Sequence, residues 1–357
     1  MNNIIIGDFK EVSPSDYTEH VVLFFALNHS HYELAKIIAS NSKFDSYIYF
    51  ESHNSADVPE SQVNFKLIKN YMSLAGIFVK FTKLVIFSTH PSINTQSSYL
   101  KVLQAAMENN INIYEIPHGL FQSGYNLVDD TKYIDIASYY DGIGDNLPPI
   151  TKNRAWWYGK EGIGYPRTTL RNSYPKRPLP VFNLITTNTN WYLYAMKDKR
   201  EFFKIIIDYA QEKTGELFIW SPHPAEMNLD SFSFYVKDFM PKNILTYGLD
   251  QDIYFHGIQC TNDLIPYCKM GISTASTCLL DYEMHNKGVN LFTCDGVRNL
   301  TRKIDTVNIF EKKEDIKSLP TPLKTGFLKD YSPEKFDEFI TSENGVNTTS
   351  PAAVFLE

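Results

Sequence analysis

Val21–Leu27 is an unbroken apolar run, too short for a core helix and without the alternation of a strand that has one wet face. Such a run reads as a strand covered on both sides. Comparable strands are expected near Tyr47–Phe50, Leu84–Ser88 and Ile111–Ile116. Helices are expected from about His31 to Ser40 and from about Ser97 to Asn109. Asn109-Asn110 is a natural helix stop. Buried strands alternating with helices favour an α/β chain with parallel sheets.

The pattern breaks between Asn146 and Pro180, where Pro148, Pro149, Pro166, Pro175, Pro178 and Pro180 interrupt any regular element. Proline fixes φ and removes a donor, so this stretch reads as a linker. It is also basic, with Lys152, Arg154, Lys160, Arg167, Arg171, Lys176 and Arg177 against the lone acid Glu161. Beyond it the alternation restarts. Strands are expected at Val181–Thr186, Glu216–Trp220, Ile244–Tyr247, Lys269–Ile272 and Val289–Thr293. Helices are expected at Asp198–Lys213, around Leu229–Met240, at Asn262–Tyr267 and at Ser276–Asn286. Ser332-Pro333-Glu334 starts a late helix, with Ser as N-cap and Pro in the first turn. The expected organisation is a doubly wound domain over 1–150, a basic linker over 151–180, a second doubly wound domain over 181–325, and a C-terminal helix and tail over 326–357. Ligands of doubly wound units bind at the carboxyl ends of the strands, which suggests a cleft between the two domains.

Composition removes several function classes. A formal charge of −7 lacks the broad cationic face of a general nucleic-acid binder. No window approaches about 18 uninterrupted apolar residues, so no membrane span is expected. Met1–Asp8 has neither a basic n-region nor a long apolar h-region, so no signal peptide is expected and the chain reads as cytoplasmic. Cys260, Cys268, Cys278 and Cys294 form no CxxC pair and read as reduced, mostly buried thiols.

The chemistry-bearing residues sit where strands are expected to end. Ser221-Pro222-His223-Pro224 follows one strand, so the His223 imidazole rides on a loop stiffened by two prolines. It can donate to a phosphate oxygen on a departing group, or simply bond backbone at a strand end. Ser273, Thr274, Ala275, Ser276 and Thr277 lie where another strand passes into a helix, whose first turn has free N–H groups suited to an anion. Ordinary N-capping is compatible with that role. Asp281, about one turn further, reads either as an acceptor for a ribose or sugar hydroxyl or as a solvated helix carboxylate. In the first half, Pro117-His118-Gly119 closes a strand, and Gly119 permits close backbone approach. His118 is suited to act as a general base on an acceptor hydroxyl. Asn28-His29-Ser30-His31, with Glu33 at the helix start, offers a second polar loop and an alternative base. His29 and His31 have no Cys or carboxylate partner that would make a metal site, and no metal or cofactor is expected. Asp141-Gly142-Ile143-Gly144-Asp145 lacks the third glycine of a dinucleotide fingerprint. The basic linker, with Trp156, Trp157 and Tyr158, fits a diphosphate contact, a peripheral contact with inner-leaflet lipid, or a solvated hinge.

Cys268–Tyr282 (CKMGISTASTCLLDY) resembles the "LITDYSSxxFDY" segment of CDP-glycerol glycerophosphotransferases. Gly164-Tyr165-Pro166-Arg167 is similar to that family's "GxPR" linker, Pro117-His118-Gly119 to its "HG" loop and Pro222-His223-Pro224 to its "HP" loop, all in the family's order. The "HP" and "SS" elements are also similar to those of GT-B enzymes that use CMP-activated sialic acid, pseudaminic acid or Kdo. Three positions depart from the first pattern. Thr168 stands where an "RND" Asp would be, Leu184–Asn188 replaces an Arg-bearing "PTxR" strand end, and Thr274 replaces the Asp of "TDYSS".

The resemblance implies a GT-B fold, two Rossmann-like doubly wound domains facing across a cleft, and an inverting, metal-independent transferase. Its donor would be a cytidine nucleotide, of CMP-nonulosonate or Kdo type or CDP-glycerol. Its acceptor would be a glycan or lipid-linked glycan of a capsule, lipopolysaccharide or teichoic-acid-like polymer. His118 would act as base or acceptor-site residue, and His223, Ser276 and Thr277 as phosphate ligands, with Arg167 near the cleft. A UDP-sugar transferase or sugar epimerase of the same fold, and a non-catalytic scaffold of a capsule-assembly complex, are the rival readings.

Overall fold

Every strand pairing among the described residues is parallel. Parallel neighbours need crossover connections, and the crossovers cover both faces of the sheet, so the strands must be apolar on both sides. The computed structural model describes residues 20–50, 65–69, 71–87, 101–103, 105, 106, 108–116, 118, 162–174, 178–187, 196–223, 226, 236, 238–248, 257, 258, 260–294, 307–318 and 328–342. It divides into two compact units, one formed by 1–118, 122–169 and 329–354, the other by 119–121, 170–328 and 355–357.

The first unit holds a five-stranded sheet of β1 (Val21–Ala26), β2 (Asp45–Phe50), β3 (Phe65–Ile68), β4 (Lys83–Ile86) and β5 (Asn112–Glu115), in the order β3-β2-β1-β4-β5. Helices α1 (His29–Asn41) and α2 (Tyr71–Ile77) lie between strands. β1 is central and all six of its residues are buried, as the apolar run requires. Its alternate side chains enter different layers. Val21, Leu23 and Phe25 join Tyr49, Ile68, Leu74 and Phe81 in one core. Phe24, on the other face, stacks on Phe87 at 6.4 Å and on Phe336 at 5.9 Å between ring centroids.

Phe336 belongs to the late helix, Pro333–Thr341, which Ser332 caps by accepting from the Lys335 amide at 3.2 Å. This helix supplies the cover for the first sheet. Phe339 meets Tyr114 of β5 edge-on at 5.2 Å, and Ser42 Oγ donates to Asp337 at 2.9 Å. A parallel bridge between Tyr165 and Asp330 lies just before it, where Gly164 has φ +81° and a Cβ would overlap the Asp330 backbone.

The second unit holds β6 (Phe182–Thr186), β7 (Leu217–Ser221), β8 (Ile244–Thr246), β9 (Gly271–Ser273), β10 (Val289–Phe292) and β11 (Val307–Phe310), in the order β11-β10-β9-β6-β7-β8. With α3 (Met196–Glu212), α4 (Cys278–Met284) and the late helix, here α5, this gives the doubly wound α/β arrangement expected, twice. In each sheet the first strand is central and the fourth lies on its other side, so the chain reverses direction at β1/β4 and at β6/β9. Gly271 lies under the Tyr282 ring, where a Cβ would clash, so α4 packs directly on β9.

Sequence and structure differ at a few elements. β3, α2 and β11 were not expected. Asn262–Tyr267 is two 3-10 turns, Thr261–Asp263 and Ile265–Tyr267, rather than a helix. α4 begins at Cys278 instead of Ser276. The helices expected at Ser97–Asn109 and Leu229–Met240, and the linker, lie partly outside the described residues; Asn110 has the left-handed φ of +55° that suits a helix stop. Among the described residues no two of the four cysteines form a disulfide, Cys268 and Cys294 are buried, and burial pushes the Cys268 thiol up to about 12. Phe336→Ala is expected to destabilise the first unit by about 3–5 kcal/mol in urea unfolding, as for other buried Phe truncations. Val79→Ala, at a side chain 79% exposed, should stay within about 0.5 kcal/mol.

Candidate functional site

The carboxyl ends of β6, β7 and β9 bring together most of the hydroxyl and imidazole groups singled out above. Thr186 Oγ1 donates to Ser273 Oγ at 2.8 Å across the reversal point, and Ser273 Oγ donates in turn to the Thr274 carbonyl at 2.7 Å. Ser273 is fully buried, so its hydroxyl braces the strand ends and faces no solvent. Thr274 is also buried, and its Oγ1 has no hydrogen-bond partner. Ser276 and Thr277 are half-buried; Ser276 Oγ accepts from the Cys278 amide at 3.3 Å, while the Thr277 side chain does not cap α4. Asp281 is 2% exposed, which removes the reading of a solvated carboxylate.

His223 follows β7 and presents an exposed side chain. The protein atoms gathered around its ring nonetheless hold its pKa below the ordinary histidine value. Its backbone is closed into a turn, with the Glu226 amide donating to the His223 carbonyl at 2.8 Å and the His223 amide donating to Glu226 Oε2 at 3.0 Å. Glu226 was not singled out from sequence. Pro224 lies outside the described residues.

A second cluster forms in the first unit, at its own reversal point. His31 stands in the first turn of α1, where Asn28 Oδ1 accepts from its amide at 2.9 Å. The His31 and His118 ring centroids are 4.5 Å apart, and His31 also packs on Phe87, the residue following β4. His31 Nδ1 accepts from the Leu27 amide at 3.4 Å, and its Nε2 is buried without a hydrogen-bond partner. His118 Nδ1 lies 2.9 Å from the Phe87 carbonyl. A carbonyl only accepts, so that nitrogen carries the proton, and the neutral ring keeps its lone pair on Nε2. Burial, with a smaller contribution from the neighbouring His118 ring, drives the His31 pKa well below its usual value, so His31 is neutral at pH 7.

The other first-unit residues are placed differently. His29 is exposed and meets Phe50 edge-on at 5.3 Å. Glu33 is half-buried and pairs with Lys36 at 2.8 Å, three residues along α1. Arg167 lies in the 3-10 turn Pro166–Leu170, which is fixed by the Tyr331 amide donating to Thr168 Oγ1 at 2.9 Å. Gly119 lies outside the described residues, as do Trp156, Trp157 and Tyr158. Among the described residues no three His, Cys, Asp or Glu side chains cluster as a metal site, and no helix is long and apolar enough to cross a membrane.

No protein-family model matches the chain, and no curated protein sequence matches it. Solved structures do. UDP-GlcNAc 2-epimerase from Methanocaldococcus jannaschii, in complex with UDP-GlcNAc and UDP, aligns with a TM-score of 0.53 at 12% identity, over 90% of this chain and 99% of that one. The wall teichoic acid polymerase TagF aligns at 0.45 and 11% identity, over 94% and 82%. Escherichia coli ADP-heptose lipopolysaccharide heptosyltransferase II aligns at 0.39 and 9% identity, over 94% and 98%. At 12% identity the likeness to the epimerase is one of fold, and the chain has the GT-B class of two Rossmann-like units.

The neutral, buried state of His31 makes stability depend on pH. An unfolded histidine binds a proton below about pH 6.5, whereas folded His31 does not until its depressed pKa is reached. The unfolded state therefore binds more protons in that window, and stability falls as pH falls from about 6.5. His31→Asn keeps an acceptor for Leu27 and removes the titration. It is expected to flatten the slope by up to about 1.4 kcal/mol per pH unit in urea melts between pH 5 and 7. Equal slopes in the two proteins would contradict a neutral buried His31.

Proposed function

We propose that the chain is an inverting GT-B transferase. It would move a sugar or glycerol phosphate from a cytidine-nucleotide donor, of CMP-nonulosonate, Kdo or CDP-glycerol type, onto a growing capsule, lipopolysaccharide or teichoic-acid-like glycan. The observation that carries this reading is the placement of imidazoles and hydroxyls at the carboxyl ends of both sheets' reversing strands and of the strands beside them. Doubly wound units bind nucleotides there. The motif order from Pro117 to Tyr282 supports the cytidine donor.

The chemistry divides between the two clusters. The second unit receives the donor, with His223 and the Ser276 and Thr277 hydroxyls contacting the phosphate that departs. In the first unit His118 Nε2, left with its lone pair by the Nδ1–H to Phe87, takes the acceptor proton. The acceptor oxygen bonds to the donor atom as the bond to the leaving phosphate oxygen breaks. The electron pair leaves with the nucleotide, whose new charge the His223 donor stabilises. Arg167 adds a cation for the donor phosphates, and Asp281 belongs to the donor side as an acceptor for a ribose or sugar hydroxyl. His29, His31 and Gly119 belong to the acceptor side, and Glu33 is the alternative base. The basic segment with Trp156 and Trp157 suits a peripheral contact with anionic inner-leaflet lipid, as a lipid-linked acceptor would require.

Calorimetric titration with CMP, CDP and UDP tests the reading. Binding of CMP or CDP in preference to UDP is expected, and His223→Ala should weaken it at least tenfold. In a transfer assay the same variant should lose about 10²–10³ in kcat, the usual effect of removing one such donor. A preference for UDP would overturn the cytidine donor. Wild-type turnover by His223→Ala would overturn the assigned phosphate site.

A further inference from the structure

Glu226 carries a carboxylate that is wholly shielded from solvent, three residues beyond the exposed His223. Burying a carboxylate is costly unless it is paired and hydrogen-bonded, and this one is both. Its Oε2 accepts from Thr187 Oγ1 at 2.6 Å and from the His223 amide at 3.0 Å. Lys199 Nζ of α3, itself almost buried, stands 3.6 Å from Oε1. The Trp220 indole donates to Thr187 Oγ1 at 3.0 Å. An indole N–H can only donate, so the Thr187 hydroxyl proton must point to the carboxylate. The hydrogen bonds thus run in one direction, from Trp220 through Thr187 into Glu226, and the His223 amide joins at the same oxygen.

The members come from different elements of the second unit. Thr187 directly follows β6, the central strand, and Trp220 lies in β7. Glu226 and Lys199 also share the wall of one small cavity with Thr187 and with Thr274, whose hydroxyl has no partner. A buried carboxylate held this way fixes direction, which an apolar side chain of equal volume would not. His223 has passed the end of β7, and its N–H is held by the carboxylate.

We propose that Glu226 is a positioning residue, whose carboxylate, neutralised by Lys199, clamps the His223 backbone to the end of β6 and thereby sets where the imidazole meets the donor phosphate. The proposal rests on the donor-site reading above. Glu226 itself touches no ligand, because its side chain has no exposed surface.

Two measurements on the full chain test it. Amide exchange by NMR should show the His223 N–H opening at least tenfold faster in Glu226→Ala and close to wild type in Glu226→Gln, which keeps an acceptor oxygen. Calorimetry with CMP and CDP should show Glu226→Ala losing affinity about as much as His223→Ala. The double variant should be no weaker than His223→Ala alone, because the clamp acts only through that residue. An unchanged His223 exchange rate, or affinity losses that multiply in the double variant, overturns the proposal. If Glu226→Ala does not fold, Thr187→Val breaks the tie to β6, and it too should quicken His223 exchange; no change overturns the clamp. Wild-type protein that binds neither nucleotide nor UDP would overturn the donor-site reading, and the exchange rates would then decide the clamp separately.

Discussion

Parallel strands whose two faces are both covered leave only their ends for polar chemistry, and both sheets of this chain are built under that constraint. β1 and β6 are buried along their whole length. A polar side chain within either strand would need a partner inside the sheet, as Thr186 finds in Ser273. Beyond the last residue of each strand the limitation lifts. His118 follows β5, Thr187 follows β6, His223 follows β7 and Thr274 follows β9. The chain places its functional groups where the covering layers stop, at the strands between which the chain reverses and at their immediate neighbours β5 and β7. The late helix serves the same constraint, since Phe336 and Phe339 cover the face of the first sheet that Phe24 and Tyr114 present.

Burial also decides the charge state of these groups. His31 is enclosed and neutral, and its neighbour His118 is held in one tautomer by a backbone carbonyl. Glu226 is enclosed too, and there two donors to Oε2 and Lys199 at 3.6 Å from Oε1 replace its lost water. An ion pair of this kind adds little net stability, since desolvation consumes much of the attraction. Its value lies in direction: two hydrogen bonds converge on one oxygen and fix a loop that the sheet has already released.

Much of this was legible in the residues. The run Val21–Leu27 announces a doubly covered strand because it lacks polar interruptions, and Ser332-Pro333 announces a helix start by its capping chemistry, which the structure reproduces. β3 escaped because Phe65–Ile68 is four residues long and interrupted by Lys66, and β11 because Asn308 interrupts Val307–Phe310. The target of the late helix was not legible either, since an amphipathic pattern names a buried face but not the sheet that buries it. At the sites, His31 read as part of a polar loop because His-x-His beside Asn and Ser looks solvated. Asn28 was the available signal: as N-cap it puts His31 in the first helical turn, on the inner face. Ser273 read as a ligand because sequence shows the hydroxyl but not the Thr186 hydroxyl that engages it across strands. Glu226 was not singled out from sequence, because only the fold brings Thr187 and Lys199 to it.

The central claim is that the carboxyl ends of β6, β7 and β9 receive the phosphate of a nucleotide donor. A crystal structure of the chain soaked with CMP or CDP tests this most directly. The account predicts a phosphate oxygen within about 3 Å of the His223 ring and of a Ser276 or Thr277 hydroxyl. A nucleotide bound away from these strand ends, or one whose phosphate makes no contact with His223, would contradict it.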